Sequence, residues 1–115
     1  MKATIYHNPR CSKSTQALKL LEERNIDLTI VDYLENPPSK QAIKDILVML
    51  GSSADSFIRK KELLYKGLKL KDATGIQLVQ AMAKHPILIE RPIVISHGKA
   101  VVGRPPEKVL ELLQE

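Results

Sequence analysis

Apolar residues recur along this chain with two spacings, one typical of strands and one typical of helices. Ala3–His7 is short, contains β-branched and aromatic residues, and ends at an Asn-Pro turn, which predicts a first strand. From Cys11 the pattern changes to helical spacing and predicts an amphipathic helix that ends near Asn25. The residues that share its inward face are Ser14, Ala17, Leu18 and Leu21. Asp27–Leu34 alternates and predicts a second strand, so the first part of the chain reads as a βαβ unit with parallel strands.

The middle of the chain, residues 38–85, predicts helices only. Ser39 follows two prolines and is a candidate N-cap for a helix that ends at Gly51. A short helical piece is expected around Asp55–Lys61, and Thr74 is the candidate cap of a further helix that ends at His85-Pro86. The residues expected to face inward are Ile43, Ile46, Leu47 and Leu50 in the first helix, and Ile76, Val79 and Ala83 in the last.

The C-terminal part returns to strands. The segments "PIVIS" and "AVV" are compact β-branched runs joined by "HGK", which is typical of a hairpin. A last helix follows Arg104, with Val109, Leu110 and Leu113 facing inward. The order βαβ, helices, ββα predicts an α/β fold with a four-stranded mixed sheet, which matches the thioredoxin-like architecture. We expect a single domain over residues 1–115 with a helical insertion at residues 38–85.

Composition narrows the class of protein. At 115 residues, with 43% hydrophobic and 27% charged residues, the chain has the balance of one globular domain. Its one cysteine cannot form an internal disulfide, which favours a reducing compartment. The N-terminus shows no signal peptide and no segment approaches a membrane span, so we predict a cytoplasmic protein without a membrane partner.

The net positive charge of the chain indicates an anionic partner. Eighteen Lys and Arg residues against thirteen Asp and Glu residues give a formal net charge of +5. The anion could be nucleic acid, an acidic protein or a small oxyanion. Because there are only three Tyr and one Phe, and the basic residues are scattered, we predict no nucleic-acid partner. No stripe of exposed apolar residues indicates a dimer, so a monomer is the default expectation.

The cysteine lies where the first helix is predicted to begin. Unpaired backbone N–H groups and the helix dipole stabilise a thiolate there, so Cys11 should ionise below the pKa of about 8.5 of a free thiol. His7 and Arg10 would add positive potential, and Ser12 and Ser14 offer hydroxyl donors. The same helix end would hold a tetrahedral oxyanion. Free cysteines are often inert buried residues, but the polar neighbours here favour a reactive thiol.

The residues around the thiol exclude two other kinds of site. "CSKS" is not a C-x-x-C motif, so any second thiol must come from another molecule. The three histidines have no ligand spacing, so no metal site is predicted. His7, taken alone, is as readily an ordinary hydrogen-bonded residue at a strand end.

The chain resembles the glutaredoxin-coupled arsenate reductases, the ArsC family, in "YHNPRCSKS", "YLENPPS", "IRK", "HPILIERPIV" and "GRPPEKVLELL". These segments span nearly the whole sequence in order. The resemblance implies a thioredoxin-like fold with an inserted helical region, a catalytic Cys11, and oxyanion-binding arginines at Arg59, Arg91 and Arg104. It also implies a cis peptide before Pro92. Without the resemblance, the sequence around the three arginines would indicate only ordinary surface residues.

The function implied by the resemblance is reduction of arsenate to arsenite through the Cys11 thiolate. Glutathione would be the co-substrate and glutaredoxin the protein partner, with no bound cofactor and no metal. One departure is "SKS" after the cysteine, where the best-known reductases carry "GTS". Two alternatives stay open: a glutathionylated thiol-redox protein without physiological arsenate activity, and an Spx-like regulator that binds RNA polymerase. The second commonly has C-x-x-C, whereas Ser14 occupies that position here.

Overall fold

The computed structural model describes residues 1–113, which form two compact units. The first comprises Met1–Asn36 together with the chain from Arg91 onward, and the second is Pro37–Glu90. The predicted helical insertion, residues 38–85, falls inside the second unit. That residues 1–115 form a single domain stays a prediction. No helix within the described residues is long and apolar enough to cross a membrane.

The first unit is built on a four-stranded mixed sheet. Its elements are β1 (Lys2–His7), α1 (Ser12–Glu22), β2 (Asp27–Asp32), β3 (Ile93–Ser96), β4 (Lys99–Val102) and a C-terminal 3₁₀ helix (Pro106–Leu113). The strand order is β2-β1-β3-β4, with β1 parallel to β2, and with β3 antiparallel to both β1 and β4. This is the predicted thioredoxin-like arrangement, which is confirmed.

One apolar cluster fixes α1 and the 3₁₀ helix to this sheet. Its buried members are Ala3, Ile5, Ala17, Leu21, Val94 and Val109. Leu110 and Leu113 pack against it while partly exposed, so the predicted inward face of the last helix is confirmed. The 3₁₀ form of that helix was not anticipated. It follows the sequence Pro105-Pro106, where proline cannot donate a backbone hydrogen bond, and the Lys108 N–H donates to the carbonyl of Pro105, three residues earlier.

The second unit consists of helices. They are α2 (Lys40–Leu50), α3 (Ala54–Phe57), α4 (Leu63–Gly67) and α5 (Gly75–Lys84), with 3₁₀ turns at Leu70–Asp72 and Pro86–Leu88. Ser39 accepts a hydrogen bond from the Ala42 N–H, and Thr74 forms a capping box with Gln77. Gly51 ends α2 with a φ of 64°, which favours glycine. These predicted caps are confirmed.

Three expectations about these elements were wrong in detail. The buried face of α5 is Leu78, Val79 and Met82, whereas Ile76 is 66% exposed and Ala83 is half-buried. The predicted face and the observed face of α5 both have helical spacing, and the face with the larger side chains is the one that is buried. The strand predicted to reach Leu34 ends at Asp32, whose side chain accepts the Leu34 N–H and begins a turn. The helical piece expected at Asp55–Lys61 is α3, and α4 was not predicted.

Candidate active site

The loop between β1 and α1 is folded by Asn8. The Asn8 carbonyl accepts the Cys11 N–H at 3.0 Å, and its side-chain Oδ1 accepts the Arg10 N–H at 2.9 Å. Cys11 is the N-cap residue of α1, with extended backbone angles, and its carbonyl accepts the Thr15 N–H. The predicted position of the thiol at the start of the first helix is therefore correct. Asn8 was not among the predicted site residues, although the Asn-Pro pair is a turn signal.

Ser14 anchors this loop from inside the first unit. It is fully buried, and its Oγ lies 2.6 Å from Nδ1 of His7 and accepts the Asn8 N–H at 3.0 Å. Burial lowers the pKa of His7, although the carboxylates of Asp32 and Glu22 act in the opposite direction. Ser14 Oγ and Nδ1 of His7 therefore share one short hydrogen bond inside the first unit. This hydrogen bond joins the end of β1 to the first turn of α1, and the supporting role predicted for His7 at the thiol stays a prediction.

Two arginines from the far end of the chain reach the thiol. Nη2 of Arg104 lies 3.6 Å from the sulfur of Cys11, and Nε of Arg104 donates to the carbonyl of Arg91 at 2.8 Å. Arg91 also lowers the pKa of the thiol, through a side-chain hydrogen bond and its positive charge. The peptide bond before Pro92 is cis, as predicted, and so is the one between Arg104 and Pro105. Cys11, Arg91 and Arg104 thus form one cluster.

A close packing contact brings the two arginine segments together. The Gly103 N–H donates to the carbonyl of Pro92 at 2.9 Å. A Cβ added at Gly103 would lie 2.8 Å from Cγ of Pro92 and 3.0 Å from Cγ1 of Val109. Only glycine allows this approach without a shift. Gly103, which directly follows β4, can therefore pack against Pro92, which directly precedes β3.

The surroundings of the thiol favour its ionised form. Partial burial raises the pKa of Cys11, but the backbone N–H groups of Ser14 and Lys13 and the guanidinium of Arg91 outweigh it. The pKa is therefore lower than that of an ordinary thiol. The backbone N–H groups lower the pKa of Cys11 as predicted for a helix N-terminus. The fold adds the guanidinium of Arg91 to them. A thiolate beside guanidinium groups is a nucleophile that can approach an anion.

Arg59 lies in the second unit and is held by carboxylates. Its guanidinium pairs with Glu62 at 3.2 Å and with Glu90 at 2.9 Å. Its backbone N–H donates to the carbonyl of Leu88 at 2.8 Å, which fixes the segment on which it lies. The predicted role of Arg59 in oxyanion binding stays a prediction.

The supporting roles predicted for Arg10 and Ser12 at the thiol stay predictions. The side chains of Arg10 and Ser12 are exposed, and Arg10 takes part in the loop through its backbone N–H. At the next position, the backbone N–H of Lys13 contributes to the lowered pKa of the thiol. Within residues 1–113, no group of three His, Cys, Asp or Glu side chains is arranged to hold a metal ion.

Comparison with known proteins finds similarity over nearly the whole chain. Residues 6–112 match the model of the ArsC family. A protein of Neisseria meningitidis named arsenate reductase is 50% identical over 112 residues, which cover 95% of this chain and 96% of that protein. An Escherichia coli protein named "Uncharacterized protein YfgD" is also 50% identical, over 95% of this chain and 94% of its own. The solved structure of an arsenate reductase from Vibrio cholerae superposes with a TM-score of 0.94 at 48% identity, covering 97% of this chain and 98% of that chain.

Proposed function

The chain belongs to the ArsC family, and from this premise we propose that it is an arsenate reductase whose nucleophile is the Cys11 thiolate. The observation that carries the proposal is the contact of two guanidinium groups, those of Arg91 and Arg104, with a thiol of lowered pKa. A thiol that only formed a mixed disulfide would not need this arrangement. Relatives named arsenate reductase at high identity support the same reaction.

The arginines solve the main difficulty of the first step, which is that two anions must meet. Arsenate carries about two negative charges near neutral pH, as a phosphate monoester does. Arginine keeps its charge and presents paired donors that fit such oxygens. Arg91 and Arg104 can bind the oxyanion beside the sulfur. Arg59 stays the predicted third ligand of the oxyanion, and its guanidinium pairs with Glu62 and Glu90 through Nε and Nη1.

In the first step the Cys11 thiolate attacks arsenic. A sulfur–arsenic bond forms, and one arsenate oxygen leaves as water after it has gained protons from the substrate and solvent. Arsenic keeps its oxidation state, because this step is a substitution. The guanidinium groups offset the repulsion between the thiolate and the oxyanion, and remain paired with the arsenic oxygens in the adduct.

In the second step glutathione supplies the other thiol, because Cys11 is the only cysteine in the sequence. Its thiolate attacks the Cys11 sulfur, the sulfur–arsenic electron pair passes to arsenic, and arsenite is released. Arsenic gains two electrons, and the two sulfurs each lose one in forming a mixed disulfide. Glutaredoxin then attacks the glutathione sulfur, and the Cys11 thiolate leaves. No bound cofactor or metal takes part in this scheme.

The test is arsenate-dependent NADPH oxidation with glutathione, glutathione reductase and glutaredoxin. We expect activity from the natural sequence and none above background from Cys11→Ser. Omission of glutaredoxin should leave the mixed disulfide on Cys11, detectable as a mass increase of one glutathione. Lack of turnover by the reduced natural protein, with glutathionylation intact, would overturn the reductase proposal in favour of a thiol-redox protein.

A further inference from the structure

The second unit contains a hollow of about 400 Å³ on the segment that includes α4. Its lining includes four lysines, namely Lys60, Lys66, Lys69 and Lys71, together with Tyr65 and Leu70. Tyr65 and Leu70 are each 8% exposed, so they form an apolar floor beneath the lysines. No part of this hollow belongs to the thiol site, and the proposed reduction of arsenate does not use it.

Positive charge is concentrated on this segment. Residues 59–72 contain six basic residues and two acidic ones, a net charge of +4 against +5 for the whole chain. The nearby carboxylates neutralise only part of it: Asp55 pairs with Lys60 at 3.0 Å, Glu62 pairs with Arg59, and Asp72 lies in the lining. Within the described residues, Lys66, Lys69 and Lys71 form no ion pair with a carboxylate.

Exposed apolar side chains accompany these lysines. Leu63 on α4 is 85% exposed and Leu68, just after α4, is 40% exposed. A surface that combines lysines with leucines suits a protein partner better than a nucleic acid, because aromatic stacking platforms and arginines are absent from the hollow's lining. The only aromatic residue in the lining, Tyr65, is buried and offers no face for a base.

We propose that this hollow binds a protein segment in which an apolar side chain is flanked by Asp or Glu residues. The apolar side chain occupies the space above Tyr65 and Leu70, and the flanking carboxylates pair with Lys66, Lys69 and Lys71. Charge complementarity of this kind mainly accelerates association and selects the partner, while the apolar anchor contributes affinity.

Lys69 permits a test that separates binding from folding. Its φ is 55°, a conformation that glycine adopts at less cost than lysine. Lys69→Gly should therefore maintain or raise the stability of the second unit while it removes one charge from the hollow. Weaker binding by this variant cannot then be attributed to unfolding.

The experiment uses the full chain and a fluorescein-labelled peptide with one leucine flanked on both sides by glutamates. Fluorescence anisotropy at low salt should show saturable binding. Lys66→Glu/Lys71→Glu should weaken it about tenfold or more, and Lys69→Gly should weaken it about threefold. The matched control is Lys40→Glu/Lys44→Glu, which makes the same charge change at exposed positions of α2 and should leave the affinity unchanged.

Three results would overturn the proposal. One is an equal loss of peptide affinity in Lys66→Glu/Lys71→Glu and in the control Lys40→Glu/Lys44→Glu, which would mean that only the net charge of the protein matters. Another is equal affinity for a peptide in which serine replaces the leucine, because the hollow would then be unused. The third is tighter binding of a single-stranded oligonucleotide of similar charge. The assay needs neither arsenate nor a thiol, so its outcome is independent of the proposed reductase activity and can be repeated with Cys11→Ser.

Discussion

Arg104 acts on the thiol with one end of its guanidinium while the other end is fixed. Nε donates to the carbonyl of Arg91, and Nη2 reaches the sulfur of Cys11. The planar fork holds these two donors at a set separation, so the backbone contact orients the contact with sulfur. Lysine has one donor group and would lose one of the two contacts.

We therefore predict that Arg104→Lys lowers kcat/KM for arsenate although the charge is kept. The loss of one charge-assisted hydrogen bond corresponds to roughly a ten- to hundredfold decrease. The coupled NADPH assay measures it. Arg24→Lys, at an exposed arginine of the first unit, is the control and should have wild-type kinetics. Equal kinetics for both variants would show that charge alone matters at position 104.

The buried His7 links the stability of the first unit to pH. Burial lowers its pKa from the ordinary value of 6.5, despite Asp32 and Glu22. Below pH 6.5 the unfolded chain therefore binds more protons at this residue than the folded chain does. The stabilisation associated with neutral His7 is complete above that pH and is lost as the pH falls toward the folded-state value.

We predict that the free energy of unfolding in urea falls more steeply between about pH 7 and pH 5 in the natural protein than in His7→Gln. The difference in slope is limited to about 1.4 kcal/mol per pH unit for one titrating group. Thr29→Gln, at an exposed and uncharged position of β2, serves as the control and should keep the natural slope. Identical slopes in all three proteins would contradict the role assigned to His7.

At the scale of elements, the site depends on how the end of β4 packs against the start of β3. Gly103 lies between them, with its N–H bonded to Pro92 and no room for a Cβ. Arg91 and Arg104 are the immediate neighbours of this contact. A disturbance at Gly103 therefore moves both arginines, whereas a change elsewhere on the sheet would not.

Gly103→Ala is expected to destabilise the protein and to lower activity together. Overpacking of this kind costs roughly 1–3 kcal/mol, and urea unfolding measures it. Gly67→Ala is the control, because nothing lies within 4 Å of a Cβ there and alanine favours the helix α4. We expect that control to be as stable as the natural protein or more so. An unchanged kcat/KM in Gly103→Ala would contradict the positioning role.

At the scale of the whole molecule, the net charge of +5 acts on any anion that approaches the thiol. Arg91 and Arg104, by contrast, act on the thiol at short range. Salt screens exposed charges and affects close, partly buried contacts much less. The two contributions can therefore be separated by ionic strength.

We predict that the ratio of Cys11 alkylation rates with iodoacetate and iodoacetamide exceeds the ratio for a neutral free thiol by about tenfold at low salt. Raising the salt from about 20 mM to about 300 mM should reduce this excess but not abolish it. Rates of adduct formation followed by mass spectrometry provide the measurement. A ratio equal to that of the free thiol at every salt concentration would show that no positive field acts on the sulfur.

Local patterns in the sequence determined the elements and the position of the thiol. The period change at Cys11, the caps at Ser39 and Thr74, and the β-branched runs around "HGK" depend on neighbours a few residues apart, so they are readable without a structure. The order of those elements was enough to predict the mixed sheet. The arginines, by contrast, entered only through the resemblance, since an Arg-Pro pair has no local signature of function.

Tertiary structure decided what depends on distant residues. It buried Leu78 and Met82 of α5 and left Ile76 exposed, because burial depends on which side chains meet neighbouring elements and not on helical spacing alone. It paired His7 with buried Ser14 and lowered the pKa of the imidazole through burial, which sequence proximity to the thiol could not predict. It also placed Arg104 against a cysteine 93 residues away, through a glycine contact that no local pattern encodes.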